Sequence, residues 1–193
     1  MPAPLETGTF LIASLGLDDP NFTRSVVVIL QHRPEELTLG VVINRPLGDR
    51  EKLYPADELH NLTNGLEAAQ GGGHMFYQGG PVDPGSLIFL HRVGHIEEAT
   101  RICEGLYTGG DLDALRAEPD NSDSPDLRFY LGYANWAPGQ LEAEISLGAW
   151  ILTPGSAELV FTEEPETAWH RALHAMGGKY AALSFIPEDP SLN

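Results

Sequence analysis

The chain has 193 residues, 42% of them hydrophobic, and its 28 acidic against 11 basic residues give a formal charge of −17 at pH 7. That length is ample for one domain, 1–193, with a sizeable core. The acidic field argues against direct nucleic-acid binding and against docking on an anionic membrane, the more so because the Lys and Arg are scattered without a single basic run. A lone cysteine, Cys103, excludes an internal disulfide and fits a reducing compartment. The N-terminus lacks a basic n-region and a long apolar core, and no stretch reaches the roughly 18 apolar residues of a membrane span, so the expected location is cytoplasmic.

Taken in order, residues 9–14 (TFLIAS) read as a first strand, followed by a polar turn, GLDDPNF. Residues 25–31 (SVVVILQ) are β-branched and continuous, the pattern of a strand buried on both faces, and 39–44 (LGVVIN) repeat it. The short link between them predicts an antiparallel pair. Leu59, Leu62 and Leu66 predict one or two short helices within 55–70. A glycine-rich stretch then brackets a short strand at 75–78, and Gly79-Gly80-Pro81 predicts a sharp redirection. Strands are expected at 86–92 and 99–107 and a helix at 111–118, before an exposed loop rich in Pro, Ser, Asp and Asn at 118–126.

Residues 130–142 (YLGYANWAPGQLE) compress a strand end, a glycine-hinged aromatic turn and a helix start into one stretch. Residues 128–133 predict a buried strand, and Pro138 suits the first position of a helix whose opening turns carry Gln140, Glu142 and Glu144. Strands are then expected at 149–152 and near 158–161, with a helix over 164–176 that Gly177-Gly178 ends.

Chemistry-bearing residues are few. Asn44-Arg45-Pro46 at a strand end offers an amide and a forked guanidinium to a carboxylate or phosphate, or else serves to fasten a turn. Asp18, Asp19 and Asn21 favour Asx-type turn bonds over a cation site. His170 and His174 stand four apart with Glu166 one turn earlier, but Ala168, Trp169, Ala172, Leu173 and Met176 form the buried arc. That arrangement assigns both histidines to the solvated side, and no metal is expected there. His91, ending an apolar strand, is the one candidate acid or base. Tyr133 and Trp136 could wall a cleft to which Gln140 and Glu142 add polar contacts, or could serve packing alone. No GxSxG elbow, phosphate-binding loop, dinucleotide fingerprint or zinc motif occurs. No catalytic residue, metal or cofactor is therefore assigned.

The segments TFLIASLGLDDPNFTRSVVVIL, GVVINRP, GGPVDPGSLIFLH, LGYANWAPGQLEAEISLGAWIL and DPSLN, in this order, resemble the AlgH (YqgE) family of uncharacterised bacterial proteins. The resemblance implies an α+β fold with a bifurcated, largely antiparallel sheet partly closed into a small barrel and flanked by helices. It also brings a transcriptional-regulator label that rests on genetics rather than on a mechanism.

Three functional expectations follow. The first is a non-enzymatic regulatory protein acting through a protein partner. The second is a small-ligand-binding protein, or an enzyme without a recognised motif, whose Asn44, Arg45, His91, Tyr133 and Trp136 converge on one cleft. The third, direct DNA binding, requires a basic cluster that the chain lacks.

Overall fold

The computed structural model describes residues 3–47, 76–117 and 127–186. The helices expected within 55–70 and the loop at 118–126 lie outside the described residues. Three hydrogen-bonded neighbours form the first layer: β1 (Thr9–Ala13), β2 (Val26–Gln31) and β3 (Thr38–Val42), each antiparallel to the next. On the outer edge of β1 lies β9 (Trp150–Pro154), with Leu11 opposite Leu152. Side chains alternate between two cores: Phe10, Ile12, Val26, Val28 and Val41 face one, and Leu11, Ala13, Val27, Ile29 and Val42 the other. Burial on both faces is why these strands read as unbroken apolar runs.

The second half of the sheet grows from β8 (Leu127–Trp136). One edge of β8 pairs with β5 (Val82–His91); the other is shared by β4 (Phe76–Gln78), parallel to residues 129–131, and by β3, antiparallel to residues 134–136. The sheet divides where β4 wedges between β3 and β8. Val42 donates to the Gly79 carbonyl at 2.7 Å and Gly79 donates to the Leu131 carbonyl at 2.7 Å, so the wedge is stitched to both sides. Beyond β5 lie β7 (Leu106–Thr108) and β6 (Thr100–Cys103). The single strand expected at 99–107 is thus a hairpin. Gly105, at φ +68°, makes its tight turn.

The far end of the sheet curls back on its beginning. A Cβ on Gly8 would lie 2.3 Å from the Ile102 carbonyl oxygen, and one on Gly155 would lie 3.1 Å from Cys103 Sγ. This approach of β6 to the start of β1 and the end of β9 gives the half-barrel of an α+β fold.

Helices close the two cores. In chain order they are α1 (Leu112–Ala117), α2 (Gln140–Ser146), α3 (Ala157–Val160), α4 (Ala168–Met176) and α5 (Gly178–Leu183), with a 3-10 turn at Pro165–Thr167 before α4. The strand expected near 158–161 is a correction: α3 forms there because the Ser156 hydroxyl accepts from the Leu159 amide at 3.2 Å as an N-cap. Gly177, at φ +70°, ends α4 as expected, but the chain then turns into α5. Among the described residues, no helix is long and apolar enough to cross a membrane.

Candidate functional site

A polar cavity of about 440 Å³ opens between the β1–β2 loop, the chain leaving β3, the end of β4 and the first turns of α4. The loop is built by the Asx turn that its sequence predicts, with Asp19 Oδ1 accepting from the Asn21 amide at 2.8 Å. Asn44 and Arg45 lash this loop to the sheet. Asn44 Oδ1 accepts from the Val26 amide at 2.8 Å, while its Nδ2 donates to the Arg24 carbonyl at 2.9 Å. Arg45 donates to the carbonyls of Asn21 at 2.5 Å, Thr23 at 3.1 Å and Pro20 at 3.4 Å.

The Asn44 clamp holds Arg24 at φ +51°, a left-handed conformation that is rare for a long side chain. The Arg24 guanidinium lies 4.8 Å over the Trp169 ring, whose Nε1 is fixed by donating to the Ala13 carbonyl at 2.8 Å. Beside it, His170 Nδ1 is 2.6 Å from the Ser184 carbonyl. A carbonyl only accepts, so Nδ1 is the donor there, and the ring turns its Nε2 toward Arg24 Nη1 at 3.5 Å. Here the structure corrects the expectation that His170 points into solvent. The turn into α5 brings Ser184 over it, leaving His170 half-buried while His174 stays exposed.

Outside the cavity lining, the buried Arg128 donates to the carbonyls of Val160 and Thr162 and lies 5.0 Å over the Tyr77 ring. Burial pushes the Tyr77 phenol up to about 12, partly opposed by Arg128, with Glu166 acting in the same direction as burial.

The other candidates lie elsewhere, and the convergence of five residues on one cleft is corrected. His91 pairs with Leu127 at the start of β8, whereas Trp136 ends that strand, about 30 Å further along an extended chain. Gly132, at φ +71°, shifts the facing of β8, so that Tyr130 and Tyr133 both pack toward the α4 core while Ala134 and Trp136 face the opposite one. Of the five residues, only Asn44 and Arg45 line the cavity.

Trp136 is buried with Trp150 and Phe22, and its Nε1 donates to Glu144 Oε2 at 3.0 Å. Trp150 Nε1 donates to the same oxygen at 2.8 Å, and Gln140 Nε2 donates to Oε1 at 2.9 Å. Gln140 also accepts from the Ala137 amide at 3.0 Å, and Glu142 reaches His32 only at 3.9 Å. Glu144, rather than Gln140 or Glu142, is therefore the residue around which this turn is built. Glu144→Leu is expected to lower unfolding free energy by about 2–3 kcal/mol, because two indole N–H groups lose their acceptor; urea denaturation measures it.

His91 is fully buried, 3.0 Å from the Gly109 carbonyl and stacked on Tyr107 at 5.9 Å between ring centroids. Burial holds its pKa below the ordinary value, an effect that the Gly109 and Val93 backbone only partly opposes. A group with a depressed basic pKa binds fewer protons folded than unfolded. Its stabilisation is therefore complete above about pH 6.5 and is lost as pH falls, by up to about 1.4 kcal/mol per unit. His91→Gln is expected to flatten this part of the stability profile between pH 7 and 5. Among the described residues, no group of His, Cys, Asp and Glu is arranged to hold a metal ion. Burial also pushes the Cys103 thiol up, away from nucleophilic use.

Arg24, Gln78, Glu166, Trp169 and His170 also line the cavity; of these, the sequence had pointed to His170 and Glu166 only as a metal face that it set aside, and to the others not at all. The AlgH-like family model matches residues 10–181. A UPF0301 protein of Chlamydia abortus is 37% identical over 99% of this chain and 97% of its own length. One from Chlorobaculum tepidum is 36% identical over 98% and 96%, respectively. The solution structure of AlgH from Pseudomonas aeruginosa superposes with a TM-score of 0.65 at 28% identity, covering 98% of each chain. The crystal structure of DIP2367 from Corynebacterium diphtheriae superposes with a TM-score of 0.76 at 21% identity over 96% of this chain and 95% of that one, a likeness of fold.

Proposed function

Because this chain belongs to the AlgH-like family, whose name specifies no chemistry, we propose a function from the geometry of the cleft: a non-enzymatic protein that binds a small polar ligand. The observation that carries this reading is the convergence of Arg24, Asn44, Arg45, Gln78, Glu166 and His170, from four separate segments, on one cavity of about 440 Å³. That volume suits a metabolite-sized ligand, and side chains fixed by packing and main-chain bonds before a ligand arrives are the hallmark of preformed sites. Binding without chemistry accords with a buried His91 and a Cys103 thiol held protonated.

Native mass spectrometry of protein purified gently from its own cytoplasm tests the reading. The wild type is expected to retain a bound mass that Arg24→Gly loses. The reading is overturned if both are ligand-free and no cytosolic metabolite extract perturbs the cleft residues.

A second reading is that the chain acts by docking a protein partner. It draws on Phe185 and Ile186, 76% and 41% exposed beside an apolar surface depression of about 530 Å³ lined by His174, Ala175 and Phe185. A pull-down that recovers a stoichiometric partner, lost on Phe185→Asp, would favour it; recovery of none would remove it.

A further inference from the structure

We infer that the outer edge of β9 is a strand-addition site, which takes up an extended segment of a basic partner protein and seats one of its aliphatic side chains in the depression alongside. Among the described residues, β9 ends the sheet and pairs only with β1. The parity of that pairing decides which groups face outward. Ser14 donates to the Ala149 carbonyl at 2.9 Å, whereas Ala13, one residue earlier, donates the other way to the Ser25 carbonyl at 3.0 Å. Bonded and non-bonded pairs alternate along an antiparallel ladder, so Ile151 and Thr153 turn their main-chain groups toward β1 and Trp150 and Leu152 turn theirs outward. These outward N–H and C=O groups find no partner among the described residues, although Trp150 is only 3% and Leu152 only 8% exposed. Nearly buried main-chain groups left unpaired are costly, and two such sets about 7 Å apart match the repeat of an extended chain rather than the shape of a small ligand.

Beside this edge lies a depression of about 300 Å³, and none of its residues lines the cleft. Thr153 brings β9 to its rim, and Leu159, Ala172, Ala175 and Met176 make its wall mainly apolar. A residue placed opposite Thr153 on an added strand would share its face of the sheet, so its side chain would enter the depression while its neighbours' amides meet Trp150 and Leu152. The depression itself is balanced in charge. Its one cation, Arg171, donates to Thr162 Oγ1, and its one acid, Glu158, lies 3.8 Å from Arg92. The sign of the partner follows from the whole chain instead. At net −17, a second copy is repelled, whereas a strand carrying lysine or arginine at alternate positions is drawn in.

The test titrates the full chain with a blocked peptide of alternating lysine and valine, seven residues long, and reads amide hydrogen exchange by NMR. Exchange at the Trp150 and Leu152 amides is expected to slow at least about tenfold, with little change at Ile151 and Thr153, whose amides already face β1. Two N-methylated peptides supply the control. Methyl groups on the lysine amides, which would point at β9 when valine fills the depression, are expected to cost at least about tenfold in affinity; the same groups on the valine amides, which point away, are expected to cost less than about threefold. Ala175 is exposed, so Ala175→Phe should stay folded while filling the depression, and it is expected to weaken the parent peptide at least about tenfold.

Unchanged exchange at Trp150 and Leu152 overturns the inference, and so does equal binding of the two methylated peptides, which would mean that charge alone attracts them. A folded Ala175→Phe variant that binds as tightly as wild type removes the depression from the site. If the same two amides become protected with rising protein concentration and no peptide, the edge belongs to a second copy of the chain and the assignment of a basic partner falls.

Discussion

Arg128→Met is expected to destabilise the protein by about 3–5 kcal/mol in urea denaturation, a large share of the roughly 5–15 kcal/mol by which native proteins are stable. Arg128 is 3% exposed, and its guanidinium is the donor for the Val160 and Thr162 carbonyls where the chain leaves α3. Methionine fills much of the same volume but leaves both carbonyls without that donor, and it forfeits the cation–π contacts to Tyr77 at 5.0 Å and Phe161 at 5.8 Å. Arg128→Lys retains a charge but has a single ammonium where the fork spans two acceptors, so an intermediate loss of about 2 kcal/mol is expected. A loss under about 1 kcal/mol for the methionine variant would mean that the segment after α3 is held by packing alone.

The strands at 9–14, 25–31 and 39–44 were legible because each is an apolar run buried on both faces, too short for a typical helix and bounded by turn residues. The segment at 158–161 was not. Four apolar-leaning residues fit either period, and the deciding signal was outside the run, in the Ser156 cap. β8 runs on to Trp136, beyond the strand expected at 128–133, because residues 134–136 find a partner in β3, a pairing that local pattern does not report. The site was half legible for the same reason. Asn44 and Arg45 stood out as polar residues closing an apolar strand. Arg24 looked like one scattered cation until the Asn44 clamp gave it a direction, and His170 looked solvated because a helical wheel knows nothing of a second helix folding back. Its amphipathic arc was nevertheless sound, with Ala168, Trp169, Ala172 and Leu173 all buried.

Gly80→Ala is expected to be among the most damaging single substitutions in the described chain, costing about 3 kcal/mol or more although it adds one methyl group. The wedge of β4 brings the Gly80 backbone so close to β8 that an added Cβ would lie 2.2 Å from the Tyr133 carbonyl carbon and oxygen. Both neighbours are main chain, so no rotamer change relieves the contact. The strands would have to separate at the point where the sheet divides. The neighbouring Gly79 meets the Gly132 carbonyl oxygen at 2.3 Å in the same way, so the junction has little slack on either residue. Because residues 44–46 and Gln78 flank this junction and line the cleft, the damage should extend beyond stability. Hydrogen exchange is expected to show lost protection at Val42 and Gly79, whose amides donate across the wedge at 2.7 Å each. In contrast, Gly139→Ala, at a glycine with φ +76° and nothing within 4 Å of an added Cβ, should cost only the conformational penalty of a left-handed residue, about 1–2 kcal/mol. If the two variants prove equally stable, close packing at the wedge is not what holds β4 between β3 and β8.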